Sequence, residues 1–403
     1  MFSRRLRTWS VIAVAVALVA MAAACGDDDD STSSGGGGGK SSSKGSIWVL
    51  LPDTASSDRW ENDDRKYFGQ AFEAAGLKED DDYHIVNAEG DATTQQSQAE
   101  QAIADKASVI VLTSLDTGSG ATIIEQAQEE GIAVVEYDRF NTGGPGGDAY
   151  VSFDNVKVGS TMAEAMEPAI DALKLPKPQV VELNGGEEDN NSALFKAGYD
   201  ETVKKRVDAG DWAKAADKSV PGWDNGEAQT IMEQILVDKD NKVNAVFAAN
   251  DGLANSAINA LEGAGVTGTI PVSGQDATAA GIQNIALGKQ TVSVYKPIQD
   301  EAGVAAAVAL ALRDGDDPLD AATSYKSDLP SGGASASIIG IDTESGQPAE
   351  AADTEGAIPY VALVPIGVTV DNIMDTVVAD KFRTLEEVCT GDTAKTDFCK
   401  TNA

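Results

Sequence analysis

From Ser46 onward a strand-length apolar run followed by a helix-length amphipathic stretch recurs along the chain, and that alternation restricts the fold more than any other feature. The runs are SIWVLLP (46–52), HIVNA (84–88), SVIVLT (108–113), IAVVEY (132–137), AYVSF (149–153), QVVEL (179–183), NAVFAA (244–249), IPVSG (270–274) and TVSVY (291–295). Their continuous β-branched character predicts strands buried on both faces, and strand-helix alternation predicts an α/β fold of parallel sheets with right-handed crossovers. The stretch 108–139 is echoed at 244–276, each running strand, polar turn, helix, Gly, strand, Asp. Two such units predict two similar α/β lobes with a cleft between them, and put Asp138 and Asp276 in equivalent places at strand ends.

In open parallel sheets ligands bind beyond the carboxyl ends of the strands. Here those ends are polar: Asp138-Arg139, Asn184, Asn250-Asp251, Gln275-Asp276 and Lys296. Any one of them could simply cap the following helix. Together they form a set of charged and planar hydrogen-bonding groups suited to a neutral polyhydroxylated ligand. A sugar also offers an apolar C–H face to an aromatic ring. Trp60, after Arg59 in the turn following the first strand, and Trp223, in the turn PGWDNG, are placed for this, whereas Trp48 inside a strand reads as core.

Several function classes fall on composition. With 30 Lys and Arg against 65 Asp and Glu, a net charge of −35 repels nucleic acid. A single His, His84, leaves no His-rich metal site, and the three Cys at 25, 389 and 399 leave the middle of the chain without a Cys-based metal or redox centre. The reading therefore calls for no cofactor and no metal. TGGPGG (142–147) lacks the Lys-Ser/Thr of a phosphate loop and reads as a surface loop. DKDNKV (238–243) opens like a calcium loop but lacks the Gly at its sixth place.

Arg4, Arg5 and Arg7 precede an apolar run from Val11 to Ala24, the pattern of an export signal occupying residues 1–24. The run ends in small residues before Cys25, which resembles the lipobox of bacterial lipoproteins and implies a diacylated Cys25. Residues 25–45 then form a Gly/Ser/Asp tether with a reach of about 25 Å by flexible-chain statistics.

The segments RW (59–60), EYDR (136–139), YVSFDN (150–155), GGEEDNNSALFKAG (185–198), GW (222–223), AANDGLANSAINAL (248–261), SGQDATAAGI (273–282) and VYKPI (294–298) resemble, in this order, the D-xylose-binding proteins of sugar ABC importers. The resemblance implies a type I periplasmic binding protein fold, two lobes joined by three crossings: 46–153 plus 297–357, and 154–296 plus 358–403. It implies a monomer that closes on a monosaccharide, D-xylose or a similar aldopyranose, and delivers it to an ABC permease with its ATPase subunits. Carried over position by position, the ligand set is Arg59, Trp60, Asp138, Arg139, Asn191, Trp223, Asn250, Asp276 and Lys296. Residues 334–357 are longer than the family's final connection, and the tail 389–399 has no counterpart. In an exported, oxidising setting Cys389 and Cys399 are expected to pair.

Two competing readings share these residues. A glycosidase would use Asp138 and Asp276 as its two carboxyl groups. A sensor would present the sugar-bound form to a receptor. For the leader, Cys25→Ser should move the protein from the membrane fraction into the soluble fraction, and equal membrane retention of mutant and wild type would dispose of the anchor.

Overall fold

The computed structural model describes residues 44–402 apart from 350, so the leader, Cys25 and the tether up to residue 43 lie outside the described residues. The first half of the chain lays down β1 (Ile47–Leu51), β2 (Tyr83–Asn87), β3 (Val109–Leu112), β4 (Ala133–Tyr137) and β5 (Ala149–Phe153). Between them run α1 (Arg65–Ala74), α2 (Ala92–Ala104) and α3 (Thr117–Glu129). After Phe153 come α4 (Asn155–Ala172), β6 (Gln179–Asn184), α5 (Asn190–Asp208), β7 (Ala213–Ser219), α6 (Asn225–Asp238), β8 (Ala245–Ala248), α7 (Asp251–Gly263), α8 (Ala279–Ala286) and β9 (Ser293–Tyr295). The chain then returns through α9 (Ile298–Asp314) to β10 (Ala336–Asp342), β11 (Pro348–Ala349) and β12 (Ala357–Leu363), and crosses again to β13 (Ile366–Val368).

The large sheet has the order β11-β10-β12-β5-β4-β3-β1-β2. Its members β1 to β5 and β12 pair in parallel, while β10 and β11 run antiparallel at one edge. All residues of β1, β3 and β5 are buried, as continuous apolar runs between two helical layers require. The second lobe holds the parallel trio β7-β6-β8 and the antiparallel pair β9-β13. This is the two-lobed type I periplasmic binding protein fold, crossed after Phe153, between Tyr295 and Ile298, and between Leu363 and Ile366.

Three details differ from the sequence reading. IPVSG contributes only an isolated bridge, Val272 to Val246, with a second from the following Gln275 to Val294, although it does run between β8 and β9. Pro271 brings no N–H to the ladder, and a side chain at Gly274 would collide with Asp251, so regular strand geometry is not sustained. The boundary expected at 357 falls too early, because β12 lies beside β5 along Tyr150–Phe153 as far as Leu363. Strand β7, AKAADKS, escapes notice because it is a largely exposed edge strand with little to bury. Trp48 is buried among Leu50, Ile110 and Ile124 of the first lobe's outer core.

The tail is fastened down. Thr384 and Glu387 form a reciprocal capping box on Leu385–Val388, Gln283 on α8 donates to the Glu387 carbonyl at 2.7 Å, and Cys389 and Cys399 form a disulfide with Cα atoms 5.5 Å apart. Elsewhere α4 and α5 meet backbone to backbone. A Cβ on Gly159 would run into the Phe195 carbonyl, and one on Gly198 into the Val156 carbonyl. Gly198→Ala should therefore cost about 1–3 kcal/mol in urea denaturation through overpacking that neither backbone can relieve. A change within the ~0.5 kcal/mol typical of surface substitutions would contradict this packing.

Candidate functional site

The pocket is assembled from turns that follow strands in both lobes. After β1 the carboxylate of Asp53 accepts from the Ser56 amide at 2.6 Å and from Ser56 Oγ at 2.9 Å. That bends DTASSDRW so that Ser56, Ser57, Arg59 and Trp60 face the cleft, while Asp53 itself shapes the turn from behind. The echo between the two halves holds at atomic detail. Asp138 and Asp276 both adopt left-handed backbone, φ 59° and 89°, and each donates its amide to the strand beyond, to Val151 O and Val294 O, both at 2.9 Å. Such conformations cost on the order of 1 kcal/mol for a non-glycine residue and persist where the surroundings impose them.

Charge converges on Asp138. Its Oδ2 lies 2.9 Å from Lys296 Nζ and 2.8 Å from Arg59 Nη1, and all three side chains are buried. Burial alone would raise this carboxyl, but the charges of Lys296, Arg59 and Arg139 outweigh it and hold Asp138 below the ordinary carboxylate range. For Lys296 burial works against the cation, yet Asp138 holds it above its usual value. Arg59 is braced from behind by Asp64, at 2.9 Å to Nε and 2.7 Å to Nη2, and by Glu301 at 2.9 Å. Arg139 donates to Ser114 O and Ser56 Oγ, both at 3.1 Å, and stands 3.3 Å from Asp189.

The aromatic walls are held as firmly. Trp60 donates Nε1 to Ser56 Oγ at 3.2 Å and carries the Arg59 guanidinium 4.3 Å from its ring. Trp223 follows Gly222 in a tight turn with φ 55°, donates to Asp189 Oδ2 at 3.2 Å, and rests where a Cβ on Gly185 would collide with its ring. The edge of Phe195 meets it at 6.3 Å between centroids. Asn250 caps α7 through Oδ1, accepting from Leu253 N at 2.9 Å, and still lines the pocket, so the capping and site readings of this residue are compatible.

All nine residues inferred from the sequence line one pocket. The amide of Asn191 is already committed within the protein: Nδ2 donates to Asp138 O at 2.8 Å and Oδ1 accepts from Asn155 at 2.8 Å, so it ties Asp138 to the second lobe. Five further residues line the pocket: Ser56, Ser57, Asp189, Phe195 and Gln275. Gln275 is itself one of the polar strand ends flagged in the sequence, the two Ser stand two and three residues before Arg59, and Asp189 opens the same DNN motif as Asn191. Phe195 has only helical spacing from Asn191 to betray it. Two flagged strand ends fall elsewhere. Asn184 bonds Tyr199 and Asp217, and Asp251 is buried against Gln290, Ser293 and Thr278.

A periplasmic binding protein domain matches residues 48–317. The D-xylose-binding periplasmic protein of Escherichia coli K12 is 34% identical over 336 residues, covering 83% of this chain and 90% of that protein. The multiple sugar-binding periplasmic receptor of Rhizobium radiobacter is 30% identical over 288 residues, 68% of this chain and 80% of that one. Among solved structures, an ABC transporter solute-binding protein of Clostridium phytofermentans with bound β-D-glucose shares the fold. Its TM-score is 0.71 at 24% identity, over 85% of this chain and 99% of its own.

Asp138→Asn should cost about 3–5 kcal/mol of stability between pH 5 and 8, since it leaves Lys296 and Arg59 buried beside a neutral group. The folded carboxyl is held below its unfolded value near 3.9, so its contribution is present above that pH and is lost as pH falls through the depressed folded value. Urea titrations should accordingly give a constant difference between mutant and wild type down to about pH 5, shrinking only below about pH 4. A difference that fades near neutrality would contradict the ionised state.

Proposed function

Because the chain belongs to the periplasmic binding protein family, among the relatives of the D-xylose-binding proteins, we propose that its pocket holds a monosaccharide, D-xylose or a similar aldopyranose, for delivery to an ABC importer. One observation carries the choice of ligand. Most polar groups of the pocket satisfy one another, yet Gln275 Oε1 is buried with no hydrogen-bond partner, and Asp276 Oδ1, also without one, has only the Lys296 ammonium near it, at 3.6 Å. Buried acceptors of this kind are costly unless a ligand donates to them, and sugar hydroxyls are donors carried on a neutral body. The rings of Trp60 and Trp223 supply walls for the sugar's C–H faces.

Lobe closure follows from the distribution of these groups. Arg59, Trp60, Asp138 and Arg139 come from the first lobe, and Trp223, Asn250 and Asp276 from the second, so only the closed state makes every contact at once and the ligand's binding energy favours it. The permease would recognise that closed shape. The chain acts in this reading as a monomer held at the outer face of the cell membrane through acylated Cys25. Asp138, kept ionised by three cations, has no proton to give to a leaving group, so a glycosidase built on this pair would have to draw its acid from Asp276.

Calorimetry with D-xylose, D-glucose, D-galactose, D-ribose and L-arabinose should find one aldopyranose bound far more tightly than the rest. Asp276→Asn should weaken that sugar about ten- to hundredfold, as the loss of a charged acceptor in a dry cleft implies. Unchanged affinity would remove Asp276 from the site. Turnover of aryl glycosides that disappears in the same mutant would replace the binding reading by the enzymatic one.

A further inference from the structure

Two sequence features lie outside the pocket, the Gly-rich loop 142–147 and the long connection 334–357, and in the fold they meet. Glu136, fully buried in β4, accepts from the Asn141 amide and side chain at 2.7 Å and from Gly147 N at 2.9 Å, which fixes both ends of the loop. Gly143 N donates to Thr343 O at 2.8 Å, joining the loop to the turn between β10 and β11. That turn is closed by Asp342, whose carboxylate accepts from the Ser345 amide and hydroxyl at 2.7 Å, and by the Gly346 amide donating to Asp342 O at 2.8 Å.

The turn belongs to the first lobe, but its last contact is with the second. Gly346 O accepts from Asn190 Nδ2 at 2.9 Å, at the first residue of α5. With φ +64° and no room for a Cβ beside the Asn190 side chain, the position suits only glycine. On the same rim Thr117 N donates to Glu188 O at 3.3 Å, again from one lobe to the other. Asn190 sits between Asp189 and Asn191, both of which line the pocket.

We propose that the β10–β11 turn and the Gly-rich loop form a strap that closes across the mouth of the cleft onto Asn190 and retains the bound sugar. This rests on reading the pocket as a monosaccharide site. No residue of the strap lines the pocket. With the lobes apart Gly346 and Asn190 have no contact, so sugar entry is independent of it. Release requires the bond to break first, so its effect belongs to the off-rate.

The test is stopped-flow tryptophan fluorescence with the tightest-binding of the five sugars above, on wild type, Asn190→Ala and Asn190→Asp. The aspartate variant is the more informative. A carboxylate at the first helical position suits the helix dipole and should leave the unliganded fold at least as stable, while it removes the N–H donor and sets an anion against the Gly346 carbonyl. Both variants should release sugar about five- to tenfold faster with association within about twofold of wild type, the scale of one lost hydrogen bond. An off-rate in Asn190→Asp equal to that of wild type would overturn the strap while leaving the sugar site standing. A wild-type chain that binds none of the five sugars would overturn both.

Discussion

One carboxylate organises the cleft. Lys296, which arrives on the crossing from β9 to α9, and Arg59, from the turn after β1, share the same oxygen of Asp138. Neither cation could be stripped of water without such a partner, and Asp138 could not be buried without them. Behind Arg59 the acids Asp64 and Glu301 are both fully buried, and Tyr137 donates its hydroxyl to Asp64 at 2.6 Å. Three acids, Asp138, Asp64 and Glu301, thus surround Arg59, and burial together with Asp138 pushes the Glu301 carboxyl up to about 8 despite Arg59. The result is a rigid ionic floor whose geometry is set before any ligand arrives, which lowers the ordering cost of binding.

That floor also explains why the groups are charged although the inferred ligand is not. Ionised groups paired with each other leave well-directed acceptors and donors around their rims without a net field that would demand a charged guest. The left-handed backbone at Asp138 and Asp276 turns these two side chains into the cleft instead of over the next helix. By contrast Asp91, Asp116, Asp154, Asp189 and Asp224 take extended backbone and cap helices in the ordinary way.

The strands and the two-lobed plan were legible because the buried parallel strands are continuous apolar runs and because the 108–139 pattern recurs. The pocket was legible because strand ends are where such folds place ligands, and because several motifs match a known family. What stayed hidden depends on contacts distant in sequence. ASIIGID falls in the first lobe only through the family resemblance, and nothing in AIPYVAL says that it completes the same sheet from the far end of the chain. No local signal at Asn191 says that its amide is spent on Asp138, and none distinguishes Asp138 from a capping Asp. The exposed edge strand β7 offers no hydrophobic pattern at all.

The close approach of α4 and α5 has a mechanical consequence. With glycines at the crossing there are no side chains between the two backbones to slide or repack, so the pair behaves as one stiff bar. One end of that bar, Asp154, begins where the chain leaves the first lobe, and the Asp189-Asn190-Asn191 end stands at the edge of the pocket. A small rotation at the crossing is thereby carried undamped to the far rim, as a lever carries movement from its fulcrum.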